Sequence, residues 1–180
     1  GKGKSGVKLI EYGDYQCPYC GEAYPVIKQV VSDLYDQIYF QFRNYPLVND
    51  HPNAFAGARA AEAAGLQGKF WEMHDLLYTQ NDAYYNGGEP SNSWIGAKDP
   101  TPYFNADAKN LGLDVSKFKS DYVSDKVNNL VNADTAAGNK ANVQATPTFI
   151  LDGKQVNLPY SSGVKAVEKI IKAEITKKGH

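Results

Sequence analysis

The sequence is poor in several features that would each indicate a particular class of protein. It has only two cysteines among 180 residues, too few for the heavily cross-linked scaffold of a small secreted domain. It contains no apolar run of about 18 residues, the length that a membrane-spanning helix needs. It also has no excess of positive charge, because 19 Lys and Arg residues face 20 Asp and Glu residues. This balance argues against a nucleic-acid-binding protein.

The composition that remains is that of an ordinary globular domain. Hydrophobic residues make up 42% and charged residues 22% of the chain, which excludes a disordered protein. The length has room for one domain, or for one domain with a sizeable insertion. Residues 1–6 are small, basic and aperiodic, so we predict a flexible N-terminal linker there. A signal peptide needs an apolar segment that is absent, so a secreted chain would be present here in a mature or trimmed form.

Hydrophobic periodicity predicts an α/β fold interrupted by a helical block. A helix is expected to start near Cys17, between two strands, and an Asp152-Gly153 turn predicts a hairpin near the end of the chain. The strands are predicted over residues 7–12, 38–42, 148–151 and 154–158. The polar segment from Asn81 to Thr101 is predicted to be a long loop.

Both cysteines lie in one motif, Cys17-Pro18-Tyr19-Cys20, directly after the first predicted strand. Cysteines three residues apart in the first turn of a helix share a face, at a separation that suits a disulfide. Free backbone N–H groups and the helix dipole favour an anion there, so the pKa of Cys17 should fall below its usual value. Cys17 is then the predicted nucleophile, and Cys20 the resolving cysteine that breaks a mixed disulfide.

A structural disulfide and a metal site are the alternative interpretations of this motif. A bridge across so short a loop removes little chain entropy, so its structural value is small. A zinc site needs four ligands, and His51, His74 and His180 do not stand at ligand spacing. Redox chemistry is therefore the favoured interpretation.

Several segments resemble one known family. The stretch from Val7 to Pro25 resembles the first strand, active-site loop and first helix of thioredoxin-fold proteins, and residues 145–149 (Ala-Thr-Pro-Thr-Phe) resemble their Thr-Pro-Thr-Phe loop. The long segment between Cys20 and Thr146 looks like the helical insertion of the DsbA-like thiol–disulfide oxidoreductases, a family of secreted bacterial proteins. The other segments that carry this resemblance are residues 43–47 (Arg-Asn-Tyr-Pro-Leu), 51–54 (His-Pro-Asn-Ala), 67–74 (Gln-Gly-Lys-Phe-Trp-Glu-Met-His), 136–138 (Ala-Ala-Gly) and 143–147 (Val-Gln-Ala-Thr-Pro).

The resemblance implies a thioredoxin fold, a central mixed sheet flanked by helices, over residues 7–48 and 139–178, with an all-helical insertion over residues 49–138. It implies an extracytoplasmic enzyme, periplasmic or in the cell envelope with a signal or anchor not present in this chain. That enzyme would introduce disulfides into unfolded or reduced secreted proteins, and a DsbB-like or VKOR-like membrane partner would reoxidise it. The redox group would be the Cys17–Cys20 disulfide, so no cofactor or metal is expected, and a monomer that binds no nucleic acid is expected. A disulfide reductase or isomerase, and a chaperone-like or metal-binding module, remain the alternatives.

The resemblance also implies roles for residues around the cysteines. Pro147 would be a cis proline facing the sulfurs, and Thr146 before it would pair with an extended substrate and influence the thiolate. Glu11 matches a buried acid that assists proton transfer to and from the resolving cysteine. Strand alternation independently places Glu11 on the face of Val7 and Leu9, where burial would raise its pKa.

Two further positions in the sequence bear on the chemistry of the motif. Pro18 suits the first helical position, where its missing N–H costs nothing. Tyr19 stands where strong oxidases of the family have His, so Cys17 should be a less stabilised thiolate here. Whether Arg43, at the end of the second strand, pairs with Glu11 is left open.

Overall fold

The alternating hydrophobic segments form strands and the helical periodicities form helices in a computed structural model, which describes residues 1–4, 6–87 and 93–179. The strands are β1 (Lys2–Gly3), β2 (Val7–Gly13), β3 (Ile38–Asn44), β4 (Thr148–Leu151) and β5 (Lys154–Val156). The helices are α1 (Pro18–Asp33), α2 (Ala54–Gly65), α3 (Phe70–Asn86), α4 (Thr101–Asn110), α5 (Val115–Tyr122), α6 (Asp125–Lys140) and α7 (Val164–Lys177). The predicted α/β class with a helical block is confirmed.

The five strands form one mixed sheet in the order β1-β3-β2-β4-β5. Strands β2 and β3 are parallel and joined by α1, whereas β4 runs antiparallel to β2 and pairs with β5. Asp152 and Gly153 both have positive φ, 46° and 82°, the backbone that a two-residue hairpin turn needs. Strand β2 lies in the middle of the sheet. The turn between β2 and α1 therefore lies at the centre of the sheet, at the C-terminal end of β2.

The two faces of the sheet carry hydrophobic clusters of different size. Leu9 on β2, Phe40 on β3 and Phe149 on β4 belong to the large core, which continues into the helical block. The opposite face carries a small cluster around Tyr12 and Ile150. Glu11 stands directly between Phe42 and Phe149 in the strand pairing, and so lies on the face of the large core.

The prediction of a flexible linker over residues 1–6 is wrong for Lys2 and Gly3. These residues form β1 and pair antiparallel with Phe40 and Tyr39 at the edge of the sheet. The Lys2 ammonium also lies 4.5 Å from the ring centroid of Trp71, a favourable cation–π distance. The composition of residues 1–6 does not predict this strand. The strand forms because its backbone pairs with the unpaired backbone groups at the edge of β3, and side chains play no part in that pairing.

The prediction of a loop from Asn81 to Thr101 is wrong for its first part. Helix α3 continues to Asn86, because tertiary contacts satisfy its polar side chains and override their weak helix propensity. Beyond it, Trp94 and Ile95 are buried, with 1% and 3% of their surface exposed. Residues 88–92 of the predicted loop lie outside the described part of the chain.

Candidate active site

The two cysteines lie where strand β2 turns into helix α1. Cys17 is the N-cap residue of α1 and Pro18 takes a position in the first turn, as the sequence predicts. Both thiols are unbridged in this structure, and their exposure is 3% for Cys17 and 0% for Cys20. Tyr19 between them is 62% exposed, so the surface next to Cys17 is aromatic.

The surroundings make the two thiols chemically different. The pKa of Cys17 is lowered from 9.0 to about 6, chiefly by a hydrogen bond from the Cys20 thiol, against the opposing effects of burial and of the nearby Asp14. The pKa of Cys20 is raised well above its ordinary value, first by burial and then by the contact with Cys17. At neutral pH the pair therefore holds a thiolate at Cys17 and a thiol at Cys20.

The loop before β4 closes over Cys17 from the other side. Cys17 Sγ lies 3.4 Å from the carbonyl oxygen of Thr146, and the Thr146–Pro147 peptide bond is cis. Pro147 also lines an open groove of about 450 Å³ together with Phe149, Gln155 and Asn157. The residues named from the sequence on both sides of the sulfurs thus meet in space, next to a groove along the β4–β5 hairpin.

Glu11 lies beneath the motif in the apolar core. It is 3% exposed, and burial raises its pKa from 4.5 to about 8. Its negative charge in turn raises the pKa of Cys20. Glu11 lines a cavity of about 280 Å³ that is also bounded by Tyr24, Trp71 and His74. A carboxyl group in this place can hold or release a proton close to Cys20 near neutral pH.

The possible pairing of Arg43 with Glu11 is not formed. Arg43 lies one residue beyond Phe42, the partner of Glu11 in the β2–β3 register, so its side chain points to the opposite face of the sheet. There its guanidinium lies 3.9 Å from the carboxylate of Asp134. The β2–β3 register, together with the alternation of side chains along β3, therefore separates Arg43 from Glu11.

Side chains of the helical block hold the backbone of the active-site turn. Asn81 Nδ2 donates to the carbonyl oxygens of Tyr15 and Cys17, at 2.9 and 3.1 Å. The hydroxyl of Tyr85 donates to the carbonyl of Gln16 at 2.9 Å. Three consecutive carbonyl groups before α1 therefore accept hydrogen bonds from helix α3.

Two further pairs join the turn to the segment before α2. Gln16 Oε1 accepts from the backbone N–H of Asn53 at 2.7 Å, and His51 Nδ1 lies 2.8 Å from a carboxylate oxygen of Asp14. Sequence reasoning did not identify Asp14, Gln16 or Asn81 as site residues. The sequence feature that could have identified Asp14 and Gln16 is their position as two polar residues in a turn that leads into a buried helix.

His74 has a structural position. It is 5% exposed, and its ring packs edge-on against Phe42 and Tyr78. Burial lowers its pKa. Among the described residues, no group of three or more His, Cys, Asp or Glu side chains could hold a metal ion, and no helix in that part of the chain is long and apolar enough to cross a membrane.

Comparison with known proteins agrees with this geometry. The sequence model of a family described as Thioredoxin matches residues 1–173. The chain is similar in structure to the oxidoreductase DsbA from Xylella fastidiosa, with a TM-score of 0.75 and 16% identity over 99% of this chain and 91% of that one. It is also similar to oxidised BdbD from Bacillus subtilis, with a TM-score of 0.75 and 21% identity over 97% of this chain and 91% of that one.

Sequence relatives include much longer proteins. A protein named as a Na⁺/H⁺ antiporter from Salinispora tropica is 34% identical over 155 residues, which are 86% of this chain but 21% of that protein. A second, from Mycolicibacterium gilvum, is 33% identical over 93% of this chain and 25% of its own length. The chain thus spans about a fifth to a quarter of these relatives.

The family match covers nearly the whole chain, and the Cys17-Pro18-Tyr19-Cys20 turn and the Thr146–Pro147 loop meet as described above. The chain belongs to the thioredoxin family, and its fold is that of the DsbA-type thiol–disulfide oxidoreductases.

Proposed function

We propose that this chain is a thiol–disulfide oxidoreductase that donates its Cys17–Cys20 disulfide to reduced, extracytoplasmic substrate proteins. The observation that carries the proposal is the asymmetry of the thiols, with the pKa of Cys17 lowered to about 6 and that of Cys20 raised. A thiol of low pKa is a good leaving group in disulfide exchange. A mixed disulfide at Cys17 therefore breaks readily in favour of the substrate. The family membership and the DsbA-type fold support the same chemistry.

The exchange needs no group beyond the two cysteines and the substrate. A substrate thiolate attacks Cys17 Sγ, the Cys17–Cys20 bond breaks, and Cys20 leaves as a thiolate that takes up a proton. Glu11 is the proposed source of that proton, because its carboxyl group is protonated near neutral pH and lies close enough to influence Cys20. A second substrate thiolate then attacks the substrate sulfur of the mixed disulfide and releases the Cys17 thiolate. The substrate dithiol is oxidised by two electrons and the enzyme disulfide is reduced by two.

The stabilised thiolate moves the couple in the oxidising direction. At pH 7, lowering the Cys17 pKa to about 6 favours the reduced enzyme by about 1.4 kcal/mol, or about 30 mV for a two-electron couple. Reference couples extend from about −270 mV for thioredoxin to about −120 mV for DsbA. The shift is smaller than that range, so the potential itself has to be measured.

The deciding experiment is equilibration of the wild-type protein with glutathione buffers, with the Cys17–Cys20 state read by thiol labelling. We expect a potential more positive than about −180 mV, the value of a protein that donates disulfides. A potential near −270 mV would replace the oxidase with a reductase. In the proposed cycle an extracytoplasmic membrane partner, DsbB-like or VKOR-like, reoxidises the dithiol.

A pair of variants tests the roles of the two cysteines. Cys20→Ala should trap mixed disulfides with a reduced substrate protein, because the resolving thiol is gone, whereas Cys17→Ala should form none. Non-reducing electrophoresis measures both. Equal behaviour of the two variants would contradict the assigned roles, and full function in Cys17→Ser together with tight metal binding by the reduced protein would favour a metal-binding module.

A further inference from the structure

Asp14 and His51 form an ion pair beside Cys17 that the exchange steps do not use. Asp14 Oδ2 lies 2.8 Å from His51 Nδ1, with 0% of the Asp14 side chain and 18% of the His51 side chain exposed. The pair is tied to the nucleophile through the backbone, because the N–H of Cys17 donates to the carbonyl of Asp14 at 3.1 Å. The side-chain charges also interact, because Asp14 raises the pKa of Cys17 and the charge of Cys17 raises the pKa of His51.

The orientation of the Asp14 carboxylate is fixed. One oxygen accepts from the backbone N–H of Gln16 at 2.7 Å, and the other accepts from the N–H of Leu47 at 2.9 Å. Both oxygens of the Asp14 carboxylate therefore face backbone donors. A buried negative charge three residues before Cys17 opposes a thiolate, and Asp14 does raise the pKa of Cys17.

His51 is placed to cancel that charge. The hydrogen bond to Asp14 raises the pKa of His51, and the charge of Cys17 adds to the effect. Tyr19 supplies no positive charge within the motif, whereas His51 can carry one beside Asp14 when it is protonated. The charged or titratable groups around His51 are Asp14, Asp50 and Cys17. Those around Cys17 are Cys20, Asp14, His51, Tyr85 and Tyr160.

We propose that His51 is a positioning residue which, when protonated, neutralises the buried Asp14 carboxylate and so permits a stable thiolate at Cys17. The inference rests on the proposed function, since it concerns the thiolate that takes part in exchange. Below the pKa of His51 the pair is neutral overall and the thiolate is favoured. As His51 loses its proton, the Asp14 charge acts on Cys17 without compensation, and the thiolate is disfavoured.

The test is a set of four variants of the whole chain: His51→Gln, Asp14→Asn, the double variant, and His74→Gln as a matched control. The control removes another buried histidine that pairs with an aspartate, Asp75, at 3.1 Å. Ultraviolet absorbance of the thiolate against pH gives the Cys17 midpoint in each reduced protein. We expect His51→Gln to raise the midpoint by about one unit, a tenfold change in the ionisation constant. Asp14→Asn should leave the midpoint at or below the wild-type value, because the opposing charge is gone, and His74→Gln should leave it unchanged.

The double variant separates charge from structure. If His51 acts through the Asp14 charge, removing both groups should return the midpoint toward the wild-type value. If the pair only holds the turn in place, the double variant should be shifted at least as far as His51→Gln, and this outcome overturns the proposal. An unshifted His51→Gln protein with a wild-type circular dichroism spectrum overturns it as well. Exchange assays on the wild-type protein test the proposed function separately, because the thiolate titration needs no substrate.

Discussion

A single residue, Glu11, shows how backbone position controls chemistry at the residue scale. It faces the large core because it alternates with Leu9 along β2, and its strand partners are Phe42 and Phe149. Among the described residues, no hydrogen bond or ion pair compensates its burial. The ionised form is therefore the costly one, and the chain retains a carboxyl group here although an apolar side chain would pack at lower cost.

We predict that Glu11→Gln stabilises the fold at neutral and higher pH. Below pH 4.5 the carboxyl group is protonated in both states, so it adds no pH dependence to the stability there. Between pH 4.5 and about 8 only the unfolded chain ionises, because the folded pKa is about 8. The wild-type free energy of unfolding should thus fall by about 1.4 kcal/mol per pH unit from this group. Glutamine does not ionise, so the variant should not show this fall in the free energy of unfolding.

Urea denaturation of the wild type and the variant at several pH values measures the difference. The gap in the free energy of unfolding should widen as pH rises toward about 8 and be small near pH 4.5. The control is Glu22→Gln, since Glu22 lies exposed on α1 and should not change the pH dependence. A constant gap at all pH values would show that Glu11 is ionised in the folded protein.

At the scale of elements, the packing of α1 against α3 determines the position of Cys17. Asn81 on α3 donates to the carbonyl oxygens of Tyr15 and Cys17, and it reaches them only because Gly21 on α1 has no side chain. A methyl group added at Gly21 would overlap with Oδ1 of Asn81. The two helices are thus fixed relative to each other at the active-site turn.

We predict that Gly21→Ala destabilises the protein by about 1–3 kcal/mol, the cost of overpacking in a core. Within an exposed helix the same substitution would stabilise by up to about 1 kcal/mol. Thermal or urea denaturation measures the sign. The double variant Gly21→Ala/Asn81→Ala should cost less than the sum of the single variants, because the overlap is then absent. Additive costs would mean that Asn81 is not the group that excludes a side chain at Gly21.

At the scale of the whole molecule, the sheet and the helical block share one hydrophobic core. Leu9 of β2 and Phe149 of β4 lie in the same buried cluster as Met73 of α3, Phe104 of α4 and Phe118 of α5. The division into a thioredoxin-like domain (residues 7–48 and 139–178) and a helical insertion domain (residues 49–138) stays a prediction. The core itself crosses that boundary, so neither part buries its apolar surface alone.

We predict that the reduced protein unfolds in one cooperative transition. Both tryptophans, Trp71 and Trp94, lie in the helical block, and Trp71 also contacts Lys2 of β1, so their fluorescence reports the block and its contact with the sheet. In a Cys17→Ser variant the one remaining thiol, Cys20, is 0% exposed and its labelling reports the thioredoxin-like part. The two urea curves, recorded on this same variant, should coincide because a shared core opens as a unit. Separate midpoints would mean that the helical block folds independently.

Local patterns in the sequence predicted the class of the fold and the position of the redox motif. Strand and helix periodicity, together with the Asp152-Gly153 turn, gave the βαβ and ββα halves, because these signals are local. The Cys17-Pro18-Tyr19-Cys20 motif predicted the redox site, since two thiols one turn apart at a helix start share a face. Alternation along β2 predicted the buried side of Glu11.

Contacts between segments that are distant in the chain depend on how the whole molecule packs. The pairing of β1 with the β3 edge depends on unpaired backbone groups that composition does not encode. The separation of Arg43 from Glu11 depends on the β2–β3 register. The bonds from Asn81 and His51 to the active-site turn depend on how α3 and the segment before α2 pack on α1. Each is a long-range contact, which no local pattern specifies until the core brings its two partners together.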